Sequence, residues 1–182
     1  QPLIKDAFNA EQGWSCTSLP WMSIGYELRM TPLQILNFYN AIANNGQLMR
    51  PYLVSEIQQF DKTIKVFNPV VLKKRIASTS TINAMRELLE GVVQNGTMKA
   101  YKSSIYNYAG KTGTAQFDYV RKDKVSEIGG HQASFVGYFP AENPKYSCIV
   151  VVVDPKQNGY YGSVVAGSVF KEIADNCFAS IA

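Results

Sequence analysis

The sequence predicts an α/β protein of the α+β type, with an antiparallel sheet flanked by helices. Two helix patterns and two short extended runs come first, and three strand-like segments then precede a last helix. The final strand segment, Tyr146–Val153, is apolar at both parities. A strand that is apolar on both sides is buried on both faces, so we expect helices above and below the sheet.

The overall composition is that of an ordinary globular domain. The chain has 182 residues, of which 46% are hydrophobic and 18% charged, with a formal net charge of +4. That length suits one domain or a large part of one. Basic runs such as Lys73-Lys74-Arg75 are too short to indicate a nucleic-acid partner, and we expect solvated faces there. The longest apolar run, Cys148 to Val153, is far shorter than the ~20 residues that span a bilayer.

The cysteines give no sign of a metal site or of a disulfide framework. Cys16, Cys148 and Cys177 are odd in number and form no Cys-x-x-Cys pair. We therefore expect free, buried thiols, and no cofactor or metal is predicted.

Three helices are marked by their caps and their apolar spacing. Thr31-Pro32 pairs a capping hydroxyl with a proline suited to the first helical position, and Asn44-Asn45-Gly46 ends that helix. Ser78 to Thr81 can cap a second helix, which ends at Asn95-Gly96, whereas residues 1–30 indicate an irregular loop. The predicted buried stripes are Ile35, Leu36, Tyr39, Ile42 and Ala43; Ile82, Met85, Leu89 and Val92; and Ala166, Val169, Phe170, Ile173 and Cys177.

The strand segments predict two short extended runs and three longer strands. Residues 48–67 indicate the two short runs, around a turn at Asp61-Lys62. The longer strands are Tyr108 to Gln116, His131 to Phe139 and Tyr146 to Val153. The charged run Asp118 to Lys124 lies in the first connection, so the first two strands are expected to form a hairpin with a long loop.

The first of these strands carries the residues best suited to bind a ligand or take part in a reaction. Lys111 supplies a fixed positive charge, Thr112 and Thr114 supply hydroxyls, and Gly113 lets a ligand lie close to the backbone. Such a strand can pair with an extended peptide, hold a carboxylate and offer an N–H to an oxyanion. Strict alternation puts Thr112 and Thr114 on one face and Lys111 on the other, although the twist of an edge strand could still bring all three to one cleft.

The string Ala109 to Gln116 resembles the third motif of the penicillin-binding, active-site-serine transpeptidases. Further segments resemble class B penicillin-binding proteins. Within that class they are most similar to the division-type enzymes that cross-link septal peptidoglycan. They run from about residue 20 to the C-terminus and include Ser23-Ile24-Gly25-Tyr26, Thr31-Pro32-Leu33-Gln34, Gly96-Thr97 and Tyr160-Tyr161-Gly162. Glu27 departs from the pattern, because many relatives carry a small residue there.

The resemblance also implies two motifs that this sequence lacks. The family's nucleophile lies in a Ser-x-x-Lys motif, and a Ser-x-Asn motif follows it, both before the third motif. No Ser-x-Asn occurs here, and the only Ser-x-x-Lys, Ser168 to Lys171, lies after the third motif within a packing stripe. We therefore expect residues 1–182 to be the C-terminal part of a single transpeptidase domain, inactive alone, with Ser168 not a nucleophile.

The resemblance also implies which strands of the sheet this chain holds. The family's sheet has five antiparallel strands, and the two N-terminal ones precede the nucleophile, so three are expected here. Their expected order is Tyr108 to Gln116, His131 to Phe139, Tyr146 to Val153. The outer edge of the third strand should be open or paired with another chain.

The resemblance implies roles for four residues of the third motif. In the family, a serine attacks the bond between two D-alanines of a stem peptide, and β-lactam antibiotics trap the same serine. By this likeness the catalytic residues are Lys111 and Thr114, and the substrate-binding residues are Lys111, Thr112, Gly113 and Thr114. The backbone N–H of Thr114 would form half of the oxyanion hole.

The same resemblance implies partners and a location. The partners are peptidoglycan stem peptides ending in D-Ala-D-Ala, β-lactams, and the other members of a cell wall synthesis complex. The whole protein is expected on the periplasmic face, anchored in the cytoplasmic membrane by a segment outside this chain. Two other readings stay open at this point: a non-catalytic sensor of β-lactams or muropeptides, and a serine β-lactamase. His131, the only histidine, is expected to make an ordinary hydrogen bond and not to act as a base.

Overall fold

The computed structural model describes residues 3–5, 7, 13–116, 130–157 and 159–180. The predicted charged connection, Asp118 to Lys124, lies outside these residues. The helices are α1 (Ser18–Ser23), α2 (Pro32–Ala43), α3 (Thr79–Gln94), α4 (Gly162–Val165) and α5 (Gly167–Ala179), with a 3-10 turn at Lys99–Tyr101. The strands are β1 (Leu3–Ile4), β2 (Leu28–Arg29), β3 (Leu48–Met49), β4 (Glu56–Gln59), β5 (Lys62–Val66), β6 (Val71–Lys73), β7 (Ala109–Gln116), β8 (His131–Phe139) and β9 (Tyr146–Val153).

The main sheet is antiparallel and has the predicted order β7-β8-β9. Thr112 on β7 lies opposite Phe135 on β8, which in turn lies opposite Val150 on β9. Within the described part of the chain no strand pairs with the far side of β9. The expected open edge is therefore present. The remaining strands form three separate two-stranded sheets, β1-β2, β3-β6 and β4-β5.

The predicted helix starts are confirmed by their capping hydrogen bonds. The Thr31 hydroxyl accepts from the Gln34 N–H at 3.2 Å, and the Gln34 side-chain oxygen accepts from the Thr31 N–H at 2.9 Å. This capping box satisfies two backbone donors that have no partner inside α2. Ser78 caps α3 in a similar way, because its hydroxyl accepts from the Thr81 N–H at 3.1 Å.

Helices cover both faces of the main sheet, as the apolar pattern of β9 predicts. α5 packs on one face, where Phe135 and Phe139 meet Phe170 in an aromatic core. α2 and α3 pack on the other face, where Tyr138 meets apolar side chains of both helices, Ile42 and Leu89 among them. Successive residues of β8 point to opposite faces, so this central strand supplies both cores. Among the described residues, no helix is long and apolar enough to cross a lipid bilayer.

Four expectations about local structure or burial were wrong. The first 30 residues are not entirely irregular, since α1 forms at Ser18–Ser23. β9 is half-buried and not buried, because it is an edge strand among the described residues. Cys16 is exposed, and Cys148 and Cys177 are half-buried, so these thiols are free but not buried.

The fourth correction concerns the stripe of α5. Val169 and Ile173 are exposed, whereas Ala174, which the spacing did not indicate, is buried. Ala166, Phe170 and Ala174 recur every four residues and form the row that faces the sheet. Val169 and Ile173 precede the row by one residue each, which turns their side chains about 100° towards solvent.

Phe170 is the residue on which the α5 face depends most. Its ring is fully buried and contacts the rings of Tyr108, Phe135 and Phe139, with centroids 5.6, 4.6 and 5.8 Å away. Edge-to-face contacts of this kind stabilise aromatic cores beyond the burial of their area. The side chain thus joins α5 to the strand segment that leads into β7.

We predict that Phe170→Ala lowers the free energy of unfolding by about 3–5 kcal/mol, because it leaves a cavity in this core. The matched control is Val169→Ala on the same helix, which should change stability by no more than about 0.5 kcal/mol because Val169 is exposed. Urea unfolding followed by circular dichroism measures both. Equal losses of unfolding free energy in the two variants would contradict the assignment of Phe170 to the core and of Val169 to the surface.

Candidate active site

The Lys-Thr-Gly-Thr residues lie on β7, which is paired on one side only. β8 pairs with one edge of β7, and no second strand among the described residues pairs with the other. Two contacts identify the backbone groups on that outer edge. The Thr112 carbonyl accepts from the Lys111 ammonium at 2.8 Å, and the Gln116 N–H donates to the Tyr26 hydroxyl at 3.3 Å. Because backbone groups of alternate residues point the same way, the Thr114 N–H also points outward.

The Lys111 side chain starts on one face of β7 and ends near the other. Its Cα–Cβ bond points to the face opposite to the side chains of Thr112 and Thr114, as strict alternation requires. The exposed side chain nevertheless bends around the free edge, so that the ammonium contacts the Thr112 carbonyl and lies 3.5 Å from the Thr112 hydroxyl. The bend of the side chain thus brings the charge close to the Thr112 hydroxyl.

Two other segments hold the threonine hydroxyls in place. The Thr97 hydroxyl lies 3.1 Å from the Thr112 hydroxyl, just after α3 ends. The Gly162 N–H donates to the Thr114 hydroxyl at 3.0 Å, at the start of α4. A Cβ at Gly162 would lie 2.6 Å from the Ser134 carbonyl oxygen, so only glycine fits there. The elements before and after the sheet thus meet at the motif.

Gly113 has a packing role on the Lys111 face of the strand. A Cβ at this position would lie 2.5 Å from the Ser134 hydroxyl, which is directly opposite on β8. A larger residue would push the Ser134 hydroxyl aside, since no backbone atom of another described segment lies within 4 Å of that position. The glycine therefore leaves room for Ser134 on the Lys111 face of the strand.

Three residues at this site received no role from the sequence: Tyr26, Thr97 and Gly162. All three lie in segments that resemble the family, which is the signal that could have selected them. Tyr26 contacts Gln116 of β7 from 90 residues earlier in the chain, and its ring packs edge-to-face on Trp21 with centroids 5.3 Å apart. Contacts of that sequence separation are not visible in local patterns.

The structure shows the surroundings of Glu27, the residue at which this sequence departs from the family pattern. Its φ of 58° lies in the left-handed region, which suits glycine better than a larger residue. The carboxylate pairs with the Lys5 ammonium at 3.0 Å. Ser18 and the Lys5 ammonium beside the carboxylate lower the pKa of Glu27 from its usual value. The second carboxylate oxygen, Oε2, is buried without a hydrogen-bond partner among the described residues, so these contacts satisfy only part of the carboxylate.

Neither His131 nor Ser168 is arranged for catalysis. The His131 ring stacks on Tyr160 with centroids 4.0 Å apart, and its backbone carbonyl accepts from the Asp154 N–H at 2.7 Å. The Ser168 hydroxyl donates to the carbonyl of Val164 at 2.7 Å inside the last helices. The ammonium of Lys171 is bound by the Asp175 carboxylate. In the only Ser-x-x-Lys of this sequence, the serine and the lysine therefore contact other groups and not each other.

Comparison with known proteins identifies the family to which the fold belongs. The sequence profile of the penicillin binding protein transpeptidase domain matches residues 7–175. The chain belongs to this family, as a class B penicillin-binding protein transpeptidase domain.

Particular relatives support the assignment over most of the chain. It is 34% identical over 162 residues to "Probable peptidoglycan D,D-transpeptidase PenA" of Neisseria flavescens, covering 88% of this chain and 37% of that protein. It is 32% identical over 172 residues to "Peptidoglycan D,D-transpeptidase FtsI homolog" of Mesostigma viride, covering 85% and 27%. The chain thus spans well under half the length of these relatives.

A solved structure shows the same fold. Penicillin-binding protein A from M. tuberculosis, in its penicillin G acyl-enzyme complex, superposes with a TM-score of 0.67 at 25% sequence identity. The match covers 87% of this chain and 35% of that one. The three-layer arrangement described above is therefore the transpeptidase arrangement.

We predict that Thr114→Val destabilises the chain by roughly 1–3 kcal/mol, because it leaves the Gly162 N–H without its acceptor. Valine is nearly isosteric with threonine, so packing changes little. Thr114→Ser keeps the oxygen and should retain most of the stability. Urea unfolding of the two variants measures the difference, and equal stability would show that the hydrogen bond does not hold α4 to β7.

Proposed function

We propose that this chain forms one wall of the active site of a peptidoglycan D,D-transpeptidase that works through a serine acyl-enzyme. The nucleophile and the Ser-x-Asn motif would come from a part of the protein outside residues 1–182. The observation that carries the proposal is the free edge of β7, where the Lys111 ammonium, the Thr112 hydroxyl and an outward Thr114 N–H lie together.

The charge at this edge suits the end of a stem peptide. Among the described residues, no carboxylate pairs with Lys111. The terminal carboxylate of a D-Ala-D-Ala peptide would bind between Lys111 and the hydroxyls of Thr112 and Thr114, by charge-assisted hydrogen bonds. The peptide backbone would lie along the open edge of β7 as an added strand. β-Lactams carry an equivalent carboxylate and would bind in the same way.

The reaction would use residues of this chain together with the nucleophile from outside residues 1–182. The serine oxygen attacks the carbonyl between the two D-alanines, an ester forms, and the terminal D-alanine leaves as the amine. An amine of a neighbouring stem peptide then attacks the ester and restores the serine. The Thr114 N–H and the N–H of the serine itself would stabilise the oxyanion in both steps. Lys111 would favour proton transfer through its positive charge.

The names of the relatives and of the solved structure agree with this chemistry. Two relatives are called peptidoglycan D,D-transpeptidases, and the M. tuberculosis protein was solved as a penicillin G acyl-enzyme. We place the whole protein at the extracytoplasmic face, attached to the membrane by a segment outside this chain, within a complex that builds the cell wall at division. A non-catalytic sensor would bind β-lactams but would not cross-link stem peptides, so a transpeptidation assay distinguishes the two.

In the whole protein, Lys111→Ala should slow acylation by a fluorescent penicillin at least tenfold, because a charge-assisted hydrogen bond to the β-lactam carboxylate is lost. The matched control is Lys102→Ala, an exposed lysine seven residues before β7 whose loss should leave the rate unchanged. Gel fluorescence at timed intervals gives both rates. A rate for Lys111→Ala within about twofold of the parent, ~0.4 kcal/mol in barrier, would refute the role.

Residues 1–182 alone should form no covalent adduct with penicillin. The sequence holds no Ser-x-x-Lys before the third motif, and Ser168 is engaged with Val164. Intact-mass spectrometry after prolonged incubation measures adduct formation, with the whole protein as the positive control. A stoichiometric acyl adduct on this chain would mean that it contains its own nucleophile.

A further inference from the structure

The segment between α2 and α3 carries a hairpin that is exposed on every residue. β4 and β5 pair only with each other within the described part of the chain, and all nine of their residues are exposed. Phe60 and Asp61 form the turn, with φ of 47° and 60°. Positive φ at both central residues is the type I′ geometry that suits the twist of a hairpin. Both outer edges therefore present backbone groups to solvent.

The net positive charge of the chain is concentrated around this hairpin. Residues 50–75 hold six basic residues and two acidic ones, a net charge of +4 that equals the formal net charge of all 182 residues. The six basic residues are exposed, and none forms an ion pair with a described residue. They are Arg50, Lys62, Lys65, Lys73, Lys74 and Arg75. The field of this segment therefore favours an anionic partner.

Apolar side chains project from the same segment. Phe60 is 90% exposed at the turn, and Leu53 is fully exposed just before β4. Ile57, Ile64 and Val66 on the two strands are also exposed. An isolated two-stranded hairpin is marginally stable in water, so a third strand that covers these side chains would stabilise it. An open edge beside exposed apolar residues is the usual template for strand addition.

The lysines of β5 select which strand can be added. β5 carries Lys62 and Lys65 and no acidic residue, whereas Glu56 on β4 accepts from the Gln58 side chain at 2.6 Å. A second copy of β5 would place like charges opposite each other, which destabilises a strand pair. An acidic strand would place carboxylates opposite the same lysines, which stabilises it. The edge is thus protected from self-association and remains open to an acidic partner.

We propose that the outer edge of β5 binds an extended acidic segment of a partner polypeptide by β-strand addition. Main-chain hydrogen bonds to the edge would provide the affinity, and Lys62 and Lys65 would select acidic over basic partners. This site lies on a different sheet from β7, and the inference does not depend on the proposed transpeptidase activity.

The test uses the 182-residue chain and two synthetic peptides. One is an eight-residue peptide of alternating glutamate and valine with blocked ends, and the other has lysine in place of each glutamate. NMR titration should show shifts within residues 56–66 for the glutamate peptide, with slower hydrogen exchange of β5 amides. The lysine peptide should bind at least tenfold more weakly.

Charge reversal tests the selection directly. The double variant Lys62→Glu/Lys65→Glu should lose at least tenfold in affinity for the glutamate peptide and gain affinity for the lysine peptide. Lys99→Glu/Lys102→Glu makes the same charge change at exposed positions outside the segment and should preserve the original preference. Circular dichroism of both variants should match the parent, because the substituted side chains are exposed.

Three results would overturn the proposal. The first is no binding of the glutamate peptide, and the second is binding without protection of β5 amides, which would indicate unspecific charge attraction. The third is strong binding to phosphatidylglycerol vesicles, lost in the Lys62/Lys65 variant, with no binding to the peptide. That pattern would assign the hairpin to a membrane surface.

Discussion

The structure around the candidate site depends on one constraint: among the described residues, β7 pairs with another strand along a single edge only. That partner is β8, and on the other edge the Thr112 carbonyl and the Gln116 N–H bond to side chains instead of to a strand. The Lys111 side chain crosses this edge, where no described strand blocks it. A fully paired β7 would carry the same residues with a different outcome, since its N–H groups would be used within the sheet and its lysine kept on one face.

The two cores explain why this edge has a defined position. Phe135 and Tyr138 project from opposite faces of β8 into separate aromatic and aliphatic clusters, which prevents the sheet from shifting relative to either helical layer. The same layers deliver the residues that contact the motif. Thr97 follows the helix on one face and Gly162 begins the helix on the other, so both packing layers influence the positions of Thr112 and Thr114.

Two of the open strand edges in the described part of the chain differ in character. The edge of β7 lies in a sheet that is packed on both faces, and it presents one cation beside hydroxyls, which suits a small, defined carboxylate. The β4-β5 hairpin stands apart from both cores and presents Lys62 and Lys65, neither of them in an ion pair with a described residue, beside exposed apolar side chains. Both edges have unpaired backbone groups, but only β7 belongs to a sheet with packed cores. The fixed geometry of β7 suits the reaction proposed for it, whereas the unconstrained hairpin suits the binding of an extended partner strand that we propose there.

The amino-acid sequence by itself determined the helix starts at Thr31 and Ser78 and the presence of a hairpin between β4 and β5, although its turn lies one residue earlier than predicted. These depend on capping groups, turn residues and short-range periodicity, which act between neighbours in the chain. The strand order and the selection of Lys111 to Thr114 as candidate residues came from the likeness of the sequence to its family. Only the tertiary structure decided how Lys111 reaches the threonine side, that Tyr26, Thr97 and Gly162 adjoin the motif, and that Ala174 and not Ile173 faces the sheet. Those features depend on the direction of long side chains and on contacts between distant segments, and local patterns contain neither.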